Sequence, residues 1–157
     1  MILFMLNLCL AVGWGFLWSD FSLSNLLAGF GAGYLALLAS RPLYGHSRYF
    51  GTVWRALALA VYFLWDLLRS SIKVAWDVVT RRHLSRPGIV GVPLDARTDG
   101  EILLTANLIS LTPGTLSLDV SGDRKTLWVH AMFIDDPDTL RRDLKNGMER
   151  RVLEVLR

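Results

Sequence analysis

The distribution of charge along the chain constrains its fold most strongly. All 17 lysine and arginine residues lie at Arg41 or beyond, and the residues before Arg41 carry one formal charge, that of Asp20. Two apolar runs, at residues 1–18 and 21–39, flank this aspartate. Each run approaches the ~20 residues that a helix needs to cross a hydrocarbon core of about 30 Å. We therefore expect a transmembrane helical hairpin over residues 1–40.

The orientation of this hairpin follows from the basic residues. A secretory signal peptide would begin with basic residues and end at a small-residue cleavage site, whereas here a second apolar run follows almost at once. We therefore expect both runs to remain in the protein.

The linker between the two runs has no lysine or arginine. Basic residues follow the second run, at Arg41, Arg48, Arg55, Arg81, Arg82 and Arg86. The positive-inside rule predicts an external linker and a cytoplasmic carboxy-terminal part.

Composition limits the other classes of function. The net charge of +3 comes from basic residues near the predicted membrane, so anionic lipid headgroups are the expected partner and nucleic acid is not. Cys9 is the only cysteine, which excludes an intramolecular disulfide and a cysteine metal site. His46, His83 and His130 stand in separate segments, and we interpret them as structural or solvated. No cofactor or metal is predicted.

The second apolar run contains small residues at the spacing that lets helices approach closely in lipid, namely Ala28, Gly29, Ala32 and Gly33. They predict either a groove for a helix of another protein or packing against the first run, and the two interpretations do not exclude each other. Neither run contains an ionisable residue. Intramembrane ionisable groups usually mark ion or proton paths, so we do not expect this chain to form such a path by itself.

Residues 52–80 contain no glycine or proline and predict one long amphipathic helix. One stripe is polar, interrupted by Leu59, and the opposite side is apolar. The charged stripe residues, which we predict to form an interface, are Arg55, Asp66, Arg69, Lys73 and Asp77. Together with the basic loop before it, the helix forms a predicted segment at 41–86.

The placement of this helix relative to the bilayer is open to two interpretations. Its uncharged stretch at 56–65 is about half a span, and three charged residues cost roughly 2.5 to 3.5 kcal/mol each at the centre of a bilayer. We therefore favour a helix that lies at the cytoplasmic interface with its apolar side in the lipid. The alternatives are packing against partner helices with its charges paired, or a stripe that relays protons.

Residues 87–157 predict a small cytoplasmic α/β domain with the element order βαββα. Strands are expected at 89–94, 115–120 and 126–132, with a helix from about 99 to 111 between the first two. A final amphipathic helix would bury one apolar face, made of Leu140, Leu144, Met148, Val152 and Leu156.

Three polar residues of this domain invite a catalytic interpretation, which we reject. Ser117, Asp119 and His130 are the residue types of a nucleophilic triad. However, Ser117 and Asp119, two residues apart on one strand, would point to the same side of the sheet. A tight turn at Pro113 and Gly114 explains the neighbouring segment without catalysis. We predict that the chain is not an enzyme.

The segment ANLISLTPGTLSLDV at 106–120, followed by LWVHA at 127–131, resembles the E-type subunit of the multisubunit cation/proton antiporters of bacteria, the Mrp, Mnh or Pha complexes. The resemblance extends over essentially the whole chain. The family commonly has threonine where Ser110 stands. The motif residues are Thr112, Pro113, Gly114, Thr115, Asp119 and His130.

The resemblance implies an accessory subunit of a complex in the bacterial inner membrane that exchanges cytoplasmic sodium or potassium for external protons. The ion paths would lie in larger subunits, and the partners of this chain would be those subunits and the lipid bilayer. An alternative from another class is a stand-alone membrane-anchored regulatory or ligand-binding module.

Overall fold

The computed structural model describes residues 2–44, 48–80 and 85–157. The chain forms two compact units, Met1–Val53 and Trp54–Arg157. The boundary lies inside one long helix, so most of the helix that we predicted as part of a separate middle segment belongs to the second unit. Part of the predicted basic cluster and two of the three histidines lie outside the described residues; they are His46, Arg81, Arg82 and His83.

The first unit is a helical hairpin. Helices α1 (Ile2–Trp18) and α2 (Leu23–Ala39) have 17 residues each and run antiparallel. Ser22 caps the amino terminus of α2, because its side chain accepts a hydrogen bond from the backbone N–H of Asn25. A short helix, α3 (Arg41–Tyr44), follows α2.

Helix α4 (Tyr49–Val79) has 31 residues and starts three residues before the predicted helix at 52–80. Among the described helices, α4 is the only one whose length and apolar composition would allow it to cross a membrane. Helices α1 and α2 are shorter and apolar.

The second unit contains a three-stranded antiparallel sheet. Its strands are β1 (Gly88–Pro93), β2 (Thr115–Val120) and β3 (Thr126–Ala131), in the spatial order β1-β3-β2. Side chains alternate along the central strand β3: Leu127, Val129 and Ala131 are buried, and the residues between them are more exposed. The sheet therefore has one core face and one outer face.

Helices cover the core face of the sheet. Helix α5 (Asp99–Leu111) lies between β1 and β2 in the chain and begins with a capping box made by Thr98 and Glu101. After β3 come α6 (Pro137–Leu144), a π-helical turn at Lys145–Glu149, and α7 (Arg150–Leu156). The buried core combines one residue of α4 with residues of the sheet and helices, namely Leu59, Val92, Ile109, Leu127, Val129, Met148 and Val152.

The π turn alters the predicted carboxy-terminal helix. Met148 and Val152 are buried as expected, but Leu156 is half exposed and Val155 packs against the core instead. A π turn takes more residues than an α turn, so it rotates α7 relative to a continuous helix. The apolar spacing alone does not reveal this rotation.

Candidate membrane and subunit interfaces

The small residues of α2 pack inside the hairpin. Gly29 and Gly33 are buried, and a Cβ atom at either position would overlap Trp14 or Asn7 of α1. These two glycines therefore serve the intramolecular packing that we gave as one interpretation. Ala28 is exposed and Ala32 half-buried, so a groove for another protein at these two residues stays a prediction.

A polar contact joins α1 of this hairpin to the first residue of α4, and the sequence analysis missed it. Asn7 is 0% exposed, and its Nδ2 donates a hydrogen bond of 2.7 Å to the hydroxyl of Tyr49. The ring of Tyr49 also lies beside those of Phe4 and Tyr34. Polar side chains in apolar helices bond to one another because lipid offers no partner. The signal was available, since Asn7 interrupts an otherwise apolar run.

The polar stripe of α4 lies against the α/β part of its own unit, a neighbour that the sequence analysis did not consider. Leu59, which we had taken as an interruption of the stripe, is part of the core. The ring of Tyr62 lies 3.7 Å from the guanidinium carbon of Arg151. Further along the helix, the ammonium of Lys73 lies 4.5 Å from the centroid of the Phe133 ring.

The predicted stripe residues differ in burial. Asp77 is 2% exposed, Arg55 and Asp66 are half-buried, and Arg69 and Lys73 are exposed. Their role as an interface with other proteins therefore stays a prediction, because part of the stripe contacts this chain instead.

A cleft of about 380 Å³ brings two groups of predicted residues together. Its α4 side presents Asp66, Arg69 and Lys73, and its opposite side contains three residues of the family motif, Thr112, Gly114 and Thr115. Arg55 and Asp77 lie elsewhere on α4, and Asp119 and His130 do not line this cleft.

The Thr-Pro-Gly-Thr motif forms the turn between α5 and β2. The Thr112 and Thr115 hydroxyls each donate to the carbonyl oxygen of Ile109, at 2.6 and 2.7 Å, which satisfies the end of the helix. Gly114 has φ of +89°, a conformation that favours glycine. These contacts explain the motif as a helix-to-strand turn.

Ser117, Asp119 and His130 do not form a catalytic group. Ser117 pairs with buried Val129, and its hydroxyl donates to the Ala106 carbonyl oxygen at 2.9 Å. A β-bulge between Ser117 and Asp119 shifts the register, so Asp119 pairs with Trp128 and faces outward. Our expectation that Ser117 and Asp119 share one side was wrong, because the bulge breaks the alternation.

A buried carboxylate joins α5 to the carboxy-terminal residue Arg157. Both oxygens of Glu101 contact the Arg157 guanidinium, at 2.9 and 3.2 Å, and Oε2 also accepts from the backbone N–H groups of Arg97 and Thr98. The hydrogen bond from Arg157, with those from the backbone, lowers the pKa of Glu101 to about 2. Glu101 is therefore ionised at neutral pH.

The sequence of this chain is similar to those of Na+/H+ antiporter subunits. A family model described as "Na+/H+ ion antiporter subunit" matches residues 7–155. The chain is 35% identical to the E-type subunit of the Na+/H+ antiporter of Alkalihalophilus pseudofirmus, over 96% of each chain. It is 32% identical to the E-type subunit of Bacillus subtilis, over 98% of this chain and 97% of the relative.

Two solved structures are similar as well. A chain of the Mrp complex from a Dietzia species has a TM-score of 0.51 at 32% identity, covering 66% of this chain and 96% of that one. A chain of the membrane-bound sulfane sulfur reductase, an archaeal respiratory membrane complex, has a TM-score of 0.52 at 26% identity, covering 85% and 84%.

These features define a membrane-located component of an ion transporter, made of an apolar helical part and a small α/β part. The chain belongs to the family of E-type Na+/H+ antiporter subunits, which confirms the resemblance stated from the sequence.

Proposed function

We propose that this chain is an accessory subunit that anchors and braces a multisubunit monovalent cation/proton antiporter and does not conduct ions by itself. The observation that carries the proposal is the chemistry of α1 and α2: neither helix contains an Asp, Glu, Lys, Arg or His residue. Their buried residues are small or neutral, namely Asn7, Ala11, Gly15, Gly29, Gly33 and Leu37. A hairpin of this kind supplies packing surface and lacks groups that relay ions.

In this proposal, α4 lies along the cytoplasmic surface of the membrane and does not cross it. The α/β part of the second unit contacts α4 from Leu59 to Val74, which is about 22 Å of helix at 1.5 Å per residue. If this stretch crossed the bilayer, the polar α/β surface would enter the hydrocarbon, at a cost of several kcal/mol for each charged group. The stretch before Leu59 measures about 15 Å, half of a ~30 Å core.

The apolar side of α4 supports the same placement. Its large side chains are exposed and follow helical spacing, at Trp54, Leu57, Val61, Leu64, Trp65, Leu68, Ile72, Trp76 and Val79. A contiguous apolar stripe of this size marks a surface that meets lipid or protein, and its three tryptophans are the residue type enriched at membrane interfaces. In this arrangement α4 lies between the lipid and the α/β part.

The partners are the other subunits of the antiporter, as the names of the relatives suggest. Sodium or potassium is the cation that the complex exchanges for protons. A stand-alone regulatory module is the competing proposal. Under it, the chain would function without the other subunits.

The test is removal of the chain from a host that contains the whole antiporter. We expect loss of cation/proton exchange in inverted membrane vesicles and loss of the intact complex on native gels, with the other subunits still synthesised. Re-expression of the chain restores both. An intact, fully active complex without this chain would contradict the accessory role, and exchange by the purified chain alone in liposomes would contradict the absence of an ion path.

A further inference from the structure

Helix α4 contains an internal repeat of 11 residues on its apolar side, which the sequence analysis did not identify. Three sets of residues recur at this interval, namely Trp54, Trp65 and Trp76, then Leu57, Leu68 and Val79, and finally Val61 and Ile72. We call these eight residues the tryptophan row. Their exposed fractions lie between 54% and 82%, so the described part of the chain leaves the row uncovered.

The spacing of the repeat makes this surface straight. Eleven residues are close to three turns of an α-helix, so the row rotates by only about 20° per repeat. From Trp54 to Trp76 the row extends about 33 Å, at 1.5 Å per residue. The three indoles therefore project from one side of α4, opposite the side on which Leu59 enters the core.

The residue types in the row favour lipid over a helix of another protein. Helices that pack against one another in lipid approach through small residues, as α2 does through Gly29 and Gly33. The tryptophan row consists instead of indoles and branched side chains. Tryptophan is enriched where hydrocarbon meets headgroups, because its ring is apolar and its N–H group bonds to an acceptor.

The indole N–H groups of the row indicate the same partner. In the hairpin, Trp14 donates its indole N–H to Asn25, at 3.1 Å. The indoles of Trp54, Trp65 and Trp76 form no hydrogen bond with any residue of the ranges 2–44, 48–80 and 85–157. The ester and phosphate oxygens of a lipid leaflet offer acceptors along the whole length of the row.

The position of the row in the chain agrees with a lipid partner. Tyr49, the first residue of α4, accepts a hydrogen bond from Asn7 of the hairpin, and the row begins five residues later. Exposed apolar side chains therefore continue along the sequence from the hairpin into α4.

We propose that the tryptophan row is a lipid-binding surface that lies at one depth in the cytoplasmic leaflet, with its indoles at the level of the lipid ester and phosphate oxygens. The partner is any glycerophospholipid, because the row has no charged side chain that selects a headgroup. Three anchors about 16.5 Å apart keep α4 level, since tilting the helix would pull one indole out of this layer. This inference rests on the proposed placement of α4 and adds the residues that hold it there.

Spin labels at three positions of the row measure its depth without removing a tryptophan. The full-length chain, with Cys9→Ser and one of Leu57→Cys, Leu68→Cys or Val79→Cys, is labelled, purified in its complex and reconstituted into liposomes. Power saturation by oxygen, which dissolves in lipid, and by a nickel chelate, which stays in water, gives the depth of each label. We expect equal depths, about 5 to 10 Å below the headgroup surface.

A label at Leu103, which is exposed on α5, is the control and should respond to the nickel chelate as a residue in water does. Graded depths, with Leu68 deepest, would show that α4 crosses the bilayer. Row labels shielded from both reagents would show that a protein covers the row, and row labels as open to nickel as Leu103 would show that water does. Each of these three outcomes would overturn the proposal.

Replacing the anchors tests the role of the indoles. The combined variant Trp54→Ala, Trp65→Ala and Trp76→Ala should move the Leu68 label toward water by about 5 Å or more, since the row loses its largest apolar side chains. Trp128→Ala is the matched control, because Trp128 is 43% exposed on the sheet and lies outside the row. It should leave the depth unchanged.

An unchanged depth in the triple variant would contradict the role of the tryptophans, and the depths measured with all three tryptophans in place test the proposal if that variant misfolds. The accessory role fails by a different result, which is intact cation/proton exchange in vesicles that lack the chain, whatever depth the labels report.

Discussion

The two units of this chain bury opposite kinds of residue. In the hairpin, the buried positions include glycines and Asn7, while leucines such as Leu8 and Leu27 are exposed. In the second unit, the most buried side chains are mostly branched and apolar, for example Ile109, Val129 and Val152. The first pattern is that of helices packed in lipid, where small residues allow close approach. The second is that of a core closed off from water.

Helix α4 combines the two patterns. On one side, Leu59 belongs to the core of the second unit. On the other, Leu64, Leu68 and Ile72 are as exposed as the leucines of the hairpin. One side of α4 therefore exposes large apolar residues as the hairpin does, even though the helix also carries a charged stripe.

The largest effect should come from a charge placed on the outward side of the hairpin. Leu8→Asp costs about 3 kcal/mol near the centre of a membrane helix, so we expect the chain to be lost from the membrane fraction, measured by quantitative immunoblotting. Leu103→Asp is the control, because Leu103 is exposed on α5 of the second unit. Equal loss for both variants would mean that the two units do not differ in environment.

The next effect tests packing inside the hairpin. Gly33→Leu forces a side chain into Asn7 and Leu10, at an expected cost of about 1 to 3 kcal/mol, and should reduce recovery of the chain in the intact complex on native gels. At Gly31 nothing lies within 4 Å of the position that a Cβ atom would take, so Gly31→Leu should be tolerated. If Gly31→Leu reduces recovery of the complex and Gly33→Leu is tolerated, the groove for another protein lies on the Gly31 side of α2.

A third prediction concerns Glu101 in the second unit. Glu101→Gln weakens the bonds to Arg157 and to the backbone of Arg97, and we expect a loss of about 2 kcal/mol in the free energy of unfolding at pH 7. The folded pKa of about 2 lies below the ordinary value of 4.5. This contribution is therefore complete above pH 4.5 and is lost as the pH falls toward 2.

Urea unfolding of the detergent-solubilised chain at pH 7 and pH 3 measures this effect. The difference between wild type and Glu101→Gln should shrink at pH 3. The control Asp135→Asn, which removes the same charge from an exposed residue, should show no comparable change. A difference that is independent of pH would mean that the ionised form of Glu101 is not what the contacts stabilise.

The smallest expected effect comes from the hydrogen bond between Asn7 and Tyr49. Bonds between polar side chains in membrane helices contribute about 0.6 kcal/mol on average and up to about 1.7 kcal/mol. Asn7→Ala and Tyr49→Phe should each cost about this much in thermal stability of the purified complex. A double-mutant cycle measures the interaction energy between the two side chains. If the double variant loses only the sum of the two single losses in stability, the two side chains do not interact.

Much of the architecture was predictable because its signals are local. Two apolar runs without charge indicate hairpin helices, and the polar and apolar sides of α4 follow from its spacing alone. The motif around Pro113 and Gly114 was sufficient to indicate both a turn and the family. In each case, neighbouring residues in the sequence determine the feature.

The remaining features depend on contacts between distant segments. The neighbour of the polar stripe was not predictable, because Tyr62 meets Arg151 only after the chain has folded back. The bulge at Ser117 depends likewise on pairing with another strand, β3. Asn7 is different: its polarity was visible, but its partner Tyr49 lies 42 residues away.

Labelling of single-cysteine variants tests the central claim most directly, since Cys9 is the only native cysteine and can be replaced by serine. Ser24→Cys marks the loop end of the hairpin, and Ser121→Cys marks the turn between β2 and β3. With a membrane-impermeant maleimide, we predict labelling of position 24 only from outside intact cells and of position 121 only in inverted vesicles. Labelling of both positions from the same side would show that α4 crosses the membrane and would contradict the account.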